Sequence, residues 1–183
     1  MVKRFPIQRK VYCDESKELA RNDYIKLLNS AKEKGKDMRL RPYRNSDFTY
    51  LEKWVSDPRI HALWSANIMP YPLTEPGFLA VMEKNAQEWG DCGYTFTEDD
   101  GTPVGFFALS VNEKENAGFA KFIVVDNWQR GKGYGTRMIR KMLQYAFEIV
   151  ELDTVRLNVY DVNEGAKRCY EKAGFMADTY TPD

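Results

Sequence analysis

Residues 121–136 read KFIVVDNWQRGKGYGT: a β-branched run, a short turn, three glycines at alternate positions, and the start of a helix. The run 121–125 predicts a strand. Beyond it, Met138, Ile139, Met142, Leu143, Ala146, Phe147 and Val150 recur every three or four positions. That period predicts one long helix over 134–150 with a single buried face. Between strand and helix, Gly131, Gly133 and Gly135 let the backbone turn tightly and aim successive N–H groups into one concave spot. The same spot is a helix N-terminus, whose unpaired N–H groups and positive dipole end favour an anion. Arg130 and Lys132 add charge, so the loop Arg130, Gly131, Lys132, Gly133, Tyr134, Gly135, Thr136 suits a pyrophosphate.

Several arrangements share such a loop. A P-loop requires G-x-x-x-x-G-K-[ST], and no Gly-Lys pair in this chain is followed by Ser or Thr. A Rossmann fingerprint requires G-x-G-x-x-G directly after the strand. Here the glycines run G-x-G-x-G, with five residues between Val125 and Gly131, although Asp153 stands about 20 residues on. A glycine-rich connection that holds no ligand is the plain alternative.

Working outward, residues 93–97, 104–111 and 118–125 read as three strands, with Asp99-Asp100-Gly101 as a hairpin turn. Residues 38–43 predict an earlier strand. Ser46 and Asp47 read as an N-cap pair opening a helix with Leu51, Trp54 and Val55 on one face. The stretch 64–76 is rich in Pro and aromatics without a period and predicts a loop. Thr74-Glu75-Pro76 opens a helix carrying Phe78, Leu79, Met82, Ala86 and Trp89. Residues 15–36 predict one helix with Leu19, Tyr24, Leu27, Leu28 and Ala31 on a loose stripe ending at Gly35. Downstream follow a strand over 154–160, a short helix over 164–172 and a final strand over 175–180. Strands alternating with helices predict an α/β fold, a mixed, partly parallel sheet with helices on both faces. The expected organisation is a partly helical extension over 1–37 and one domain over 38–183.

Composition narrows the classes. The 183 residues are 43% hydrophobic and carry 27 Lys and Arg against 27 Asp and Glu, enough apolar content to close a core. A net charge of zero gives no reason to expect nucleic acid or a membrane as a partner. Residues 1–37 hold 10 Lys and Arg against 6 Asp and Glu, leaving a more acidic body of 17 against 21. Cys13, Cys92 and Cys169 are odd in number and widely spaced, which suits a reducing, cytoplasmic setting. With one histidine, His61, and no paired Cys/His spacing, no metal site is expected.

A second segment adds to the glycine loop. Arg130-x-x-Gly133-x-Gly135 is followed about 30 residues later by Asn163-x-x-Ala166-x-x-x-Tyr170-x-x-x-Gly174-Phe175, with a predicted strand between. In this pair of motifs the chain resembles the GNAT superfamily of acyl-CoA N-acyltransferases, from about residue 38 to 175. It is most similar to a branch marked by Leu40-Arg41-Pro42 with Asp47, and by Trp64-Ser65. The resemblance implies a mixed, splayed sheet flanked by helices, acetyl-CoA as cofactor and an amine-bearing acceptor. It implies that the backbone of Ile123, Val124 and Val125 pairs with the pantetheine arm like an added strand. The glycine loop would hold the pyrophosphate and Asn163 would touch the cofactor while capping its helix. Tyr170 would be the general acid that protonates the departing thiolate. Each has a plain structural reading too: a paired core strand, a helix cap, a packed aromatic.

The base is the open role. Many relatives carry Glu in the strand before the glycine loop, where this chain has Ala120 beside Lys121. A water relay, or Glu75 reaching in, are the alternatives, and Glu75 also reads as an ordinary first-turn helix acid. Trp54, Trp64, Tyr71 and Phe78 fall in the segment that walls the acceptor site in relatives, or else form core. Relatives also continue through a further hairpin strand after the one near Phe175. The edge left here is expected to be covered by the N-terminal extension, around 5–13, or by a second copy in a homodimer. The leading function is direct acetyl transfer from acetyl-CoA to a primary amine, and the acidic body favours a cationic acceptor. The alternatives are a CoA-binding module without turnover and, more distantly, a nucleotide-binding domain.

Overall fold

The computed structural model of the chain describes residues 15–30 and 38–177. Seven strands form one sheet: β1 (Glu15–Ala20), β2 (Arg39–Pro42), β3 (Cys92–Thr97), β4 (Pro103–Asn112), β5 (Ala117–Val125), β6 (Thr154–Val159) and β7 (Met176–Ala177). Their order across the sheet is β2-β3-β4-β5-β6-β1-β7. Only β5 and β6 pair in parallel; every other neighbouring pair is antiparallel. The helices are α1 (Arg21–Ser30), α2 (Phe48–Trp54), α3 (Pro58–Ser65), α4 (Glu75–Trp89), α5 (Tyr134–Gln144) and α6 (Glu164–Ala173).

Two cores sit on opposite faces of the sheet. On one, Met138, Ile139, Met142 and Leu143 of α5 are fully buried against Phe107, Leu109 and Ala120 of the sheet, joined by Tyr170 and Ala173 of α6. Each large side chain so buried contributes about 1.5–3 kcal/mol. The long helix expected over 134–150 is present, its last part widened into a π-helical turn at Tyr145–Ile149. On the other face Leu51, Trp54, Trp64 and Phe78 of α2, α3 and α4 close over Phe106, Ala108, Phe122 and Val124.

Three expectations change. Residues 15–36 are not one helix: Glu15–Ala20 is β1, and the helix begins at Arg21. β1 runs antiparallel along the whole of β6, Glu15 opposite Val159 and Ala20 opposite Thr154, and also pairs with β7. Two ladders of backbone hydrogen bonds outweigh the loose helical stripe, because strand formation follows tertiary context more than local preference. Leu19 and Tyr24 of that stripe are buried in the main core. An N-terminal segment does enter the sheet, but as 15–20 between β6 and β7; the expected 5–13 lies outside the described residues. Second, the loop expected from residue 64 begins only after α3. Asp57 caps that helix by accepting the N–H groups of Arg59 and Ile60, and Pro58 fills its first position. Third, Asp47 makes no side-chain cap for α2. Its buried carboxylate instead accepts both guanidinium N–H groups of Arg41 at 2.7 and 2.8 Å, the Thr95 hydroxyl at 2.8 Å and the Arg44 N–H. Burial alone would raise this carboxyl; the Arg41, Thr95 and Arg44 donors outweigh burial and hold it below the ordinary carboxylate range.

Among the described residues no helix is long and apolar enough to cross a membrane.

Candidate active site

β5 and β6 pair only from Ala117 to Ala120, opposite Thr154 to Leu157. β5 runs on to Val125 and β6 to Val159, so beyond Ala120 the two strands part and leave one edge of β5 unpaired. A bulge reinforces the opening. The β4–β5 register slips between Ala108↔Lys121 and Phe106↔Val124, so Phe122 and Ile123 together oppose Phe107. Phe122 is buried with φ of 51°, a left-handed conformation costing roughly 1–2 kcal/mol for a residue with a Cβ. Its carbonyl accepts the indole N–H of Trp64 at 2.8 Å, inside the core, and the two rings lie 5.8 Å apart.

A cavity of about 650 Å³ occupies the gap and is lined from both faces of the sheet. Ile123, Val124 and Val125 line it along the free edge of β5. At one end it meets the turn into α5. Asp126 caps a short turn at Asn127–Gln129, then Gly131 and Gly133 take φ of 75° and 81°. Gly133 is the N-cap of α5, and the first intrahelical N–H is that of Arg137, bonded to the Gly133 carbonyl. The N–H groups of Tyr134, Gly135 and Thr136 are thus left for a ligand, as helix geometry requires. Arg130, Gly131, Gly133, Gly135 and Thr136 line the cavity. Lys132 and Tyr134 do not: Lys132 donates to Gln129 at 3.4 Å, and the Tyr134 phenol donates to Glu98 with Arg137 over its ring.

α6 supplies the opposite wall. Asn163 caps it, its side chain accepting the Ala166 N–H at 3.3 Å, and also lines the cavity. Tyr170 lies one helical turn before the end, buried, with its ring edge-on to Phe175 at 6.2 Å. Burial, helped by Cys169, pushes the Tyr170 phenol above its ordinary value, so it stays protonated at neutral pH. Burial likewise raises the Cys169 thiol, which sits 3.6 Å from Thr136 Oγ1.

The α3–α4 face contributes groups of another kind. Lys121 lines the cavity with its Nζ 2.6 Å from Oδ1 of Asp91, whose side chain is fully buried. Glu75 is exposed at the start of α4 and does not line the cavity, and Ala120 is buried there. Of the four aromatics, only Trp64 reaches the cavity. Trp54 and Phe78 are core, and Tyr71 is exposed, its hydroxyl donating to the Ser56 carbonyl.

The structure thus brings Ile123, Val124, Val125, Arg130, Gly131, Gly133, Gly135, Thr136, Asn163 and Tyr170 around one cavity and leaves Lys132 and Tyr134 outside it. Sequence reasoning missed the Lys121–Asp91 pair and the Trp64–Phe122 bond. Both join residues about 30 to 60 positions apart, and nothing local signals them.

Comparison with known proteins adds to this geometry. A prophage-derived N-acetyltransferase of Bacillus subtilis, itself uncharacterised, is 28% identical over 101 residues, 51% of this chain and 57% of that protein. The chain spans about half the length of such curated relatives. Among solved structures, the spermidine N-acetyltransferase of Vibrio cholerae in complex with CoA and spermine superposes with a TM-score of 0.65 at 19% identity. That match covers 77% of this chain and 82% of that one. The aminoglycoside acetyltransferase AAC(6')-Ib in complex with coenzyme A gives 0.62 at 24% identity, over 76% and 84%. Residues 60–175 match the acetyltransferase (GNAT) family, so the parted strands, the glycine turn and the capped α6 described above are those of a chain that belongs to the GNAT family.

Proposed function

We propose that this chain moves the acetyl group of acetyl-CoA directly to a primary amine. The observation that carries the reading is the cavity in the β5–β6 gap, which joins an unpaired strand edge, a helix N-terminus and a buried tyrosine. Acetyl-CoA would supply an acetyl thioester, activated at its carbonyl carbon. The residues present fit it. The free edge of Ile123, Val124 and Val125 offers backbone N–H and C=O groups to an extended arm bearing amides. The N–H groups of Gly135 and Thr136, with Arg130, would meet a pyrophosphate at the α5 N-terminus. Asn163 fixes the start of α6. Tyr170 holds a proton at Oη, the state that a general acid for a departing thiolate needs. Cys169, kept a thiol by burial, is a poor nucleophile, which favours direct transfer over a covalent enzyme intermediate.

A second reading, a CoA-binding module without turnover, is favoured by one observation: among the described residues no Asp or Glu side chain lines the cavity. Calorimetric titration with acetyl-CoA, with NAD and ATP as controls, tests the shared part of both. Tyr170→Phe then separates them. For an enzyme kcat falls about 100-fold or more while acetyl-CoA affinity is kept. Failure to bind acetyl-CoA refutes both.

A further inference from the structure

The charge lining the cavity is wrong for a polycation. No carboxylate lines it among the described residues; of its cations, Arg130 lies at the pyrophosphate turn, Lys172 on α6, and Lys121 is the one on the α3–α4 side. Acids close by are engaged: Asp91 lies fully buried against Lys121, Asp57 caps α3, and Asp126 caps the turn before Arg130. On the α3–α4 face the walls are Ile60, Leu63, Ile68, Trp89 and Phe119, with Asn85 the polar group that α4 adds. Two of these are apolar surface left open, Trp89 at 64% and Ile68 at 50% exposure, ready to be covered by an apolar guest.

Resting on the acetyl-transfer reading, we propose that the acceptor is a monoamine with an aromatic or aliphatic body, and that polyamines and aminoglycosides are rejected. Each further ammonium brought into this cavity leaves water without a carboxylate to meet it. The acidic excess of residues 38–183, 17 Lys and Arg against 21 Asp and Glu, does not alter this, because no carboxylate among the described residues lines the cavity.

The same walls account for the missing base. Transfer from water to an apolar site disfavours an ammonium and favours the free amine. Among the described residues the titratable and charged groups facing the cavity are Lys121 from β5, Arg130 from the turn, Tyr160 after β6, and Cys169, Tyr170 and Lys172 from α6; α3 and α4 add none. The acceptor sheds its proton to water on entry. Its nitrogen then forms the N–C bond as the C–S bond breaks. The surplus proton on nitrogen goes to water, and Tyr170 Oη supplies the proton the sulfur takes and is refilled from water.

The test uses the full chain. Acetyl-CoA binding is measured first by calorimetry, then CoA release with 2-phenylethylamine and isoamylamine against spermidine and kanamycin. The expected kcat/KM for the monoamines is about 100-fold or more above either polycation, as one unpaired buried charge implies. Ile68→Glu, which puts a carboxylate on the cavity wall at an exposed position, should narrow that ratio by about two- to fivefold. Bound acetyl-CoA with a smaller ratio, or with no monoamine turnover, overturns the inference and leaves acetyl-CoA binding intact. Absence of acetyl-CoA binding overturns the transfer reading and the inference with it.

Discussion

Replacing Trp64 with Phe isolates one hydrogen bond, made to the bulged residue of β5 where β5 and β6 part. The indole N–H is 2.8 Å from the carbonyl of Phe122, the bulged residue held at a φ of 51°. Both residues are buried, so the Phe122 carbonyl has little access to water when the ring loses its nitrogen. An orphaned buried carbonyl costs about 1–3 kcal/mol, and the smaller ring adds a modest cavity cost. For a chain of this length each kcal/mol lowers Tm by about 2–4 °C, so a fall of about 2–12 °C is expected. If the Phe122 peptide relaxes into the left-behind space, the free edge of β5 loses its alignment. Acetyl-CoA affinity should then weaken, by at most about 150-fold if the whole loss appears in binding. Thermal unfolding and calorimetric titration of the Trp64→Phe protein read the two effects separately. A Tm unchanged within about a degree would refute the buried bond. A lowered Tm with unchanged affinity would show that the ladder to β4 alone holds the bulge.

Four more outcomes are expected. Asp47→Ala strands Arg41 and Thr95 in a largely buried site and should cost about 3–5 kcal/mol, read from urea unfolding. Because the Asp47 carboxyl is held below its unfolded value of about 3.9, its contribution is full above that value and is lost as pH falls through the folded one. The urea midpoint of the wild type should therefore drop more steeply on acidification below about pH 5 than that of Asp47→Asn. Gly105→Ala places a Cβ 2.6 Å from Met138 Sδ and 3.1 Å from the Val124 carbonyl oxygen, and should cost about 1–3 kcal/mol in the same assay. Deleting residues 1–37 removes β1, withdraws Leu19 and Tyr24 from the core and opens β6 and β7, so a large fall in Tm with aggregation is expected. A monomer with unchanged Tm would refute the role of β1.

Much of the second half was legible because its signals are local. The period of α5, the Asp99-Asp100-Gly101 turn, the Asn163 cap and the glycine turn are each written within a few neighbouring residues. The helix α3 was legible in principle, since Asp57-Pro58 is a cap followed by a first-position proline, but the aromatic and proline-rich run after it masked its end. What was not legible depends on partners distant in sequence. Glu15–Ala20 is a strand only because β6 and β7 flank it. Lys121 reads as a bare cation until Asp91 is placed beneath it, and Phe122 as an ordinary strand residue until the register slip.

The position of β1 also sets an order of events at synthesis. The first described strand to leave the ribosome has no partner until β6, near the other end of the chain, has followed it out. Until then β3, β4 and β5 can form their antiparallel ladders while the opening strand waits on a long loop, whose closure entropy grows only slowly with length. The interval leaves the β6 side of the nascent sheet as an open pairing edge. Emergence of β6 and β7, not local propensity, is then the step that completes the sheet.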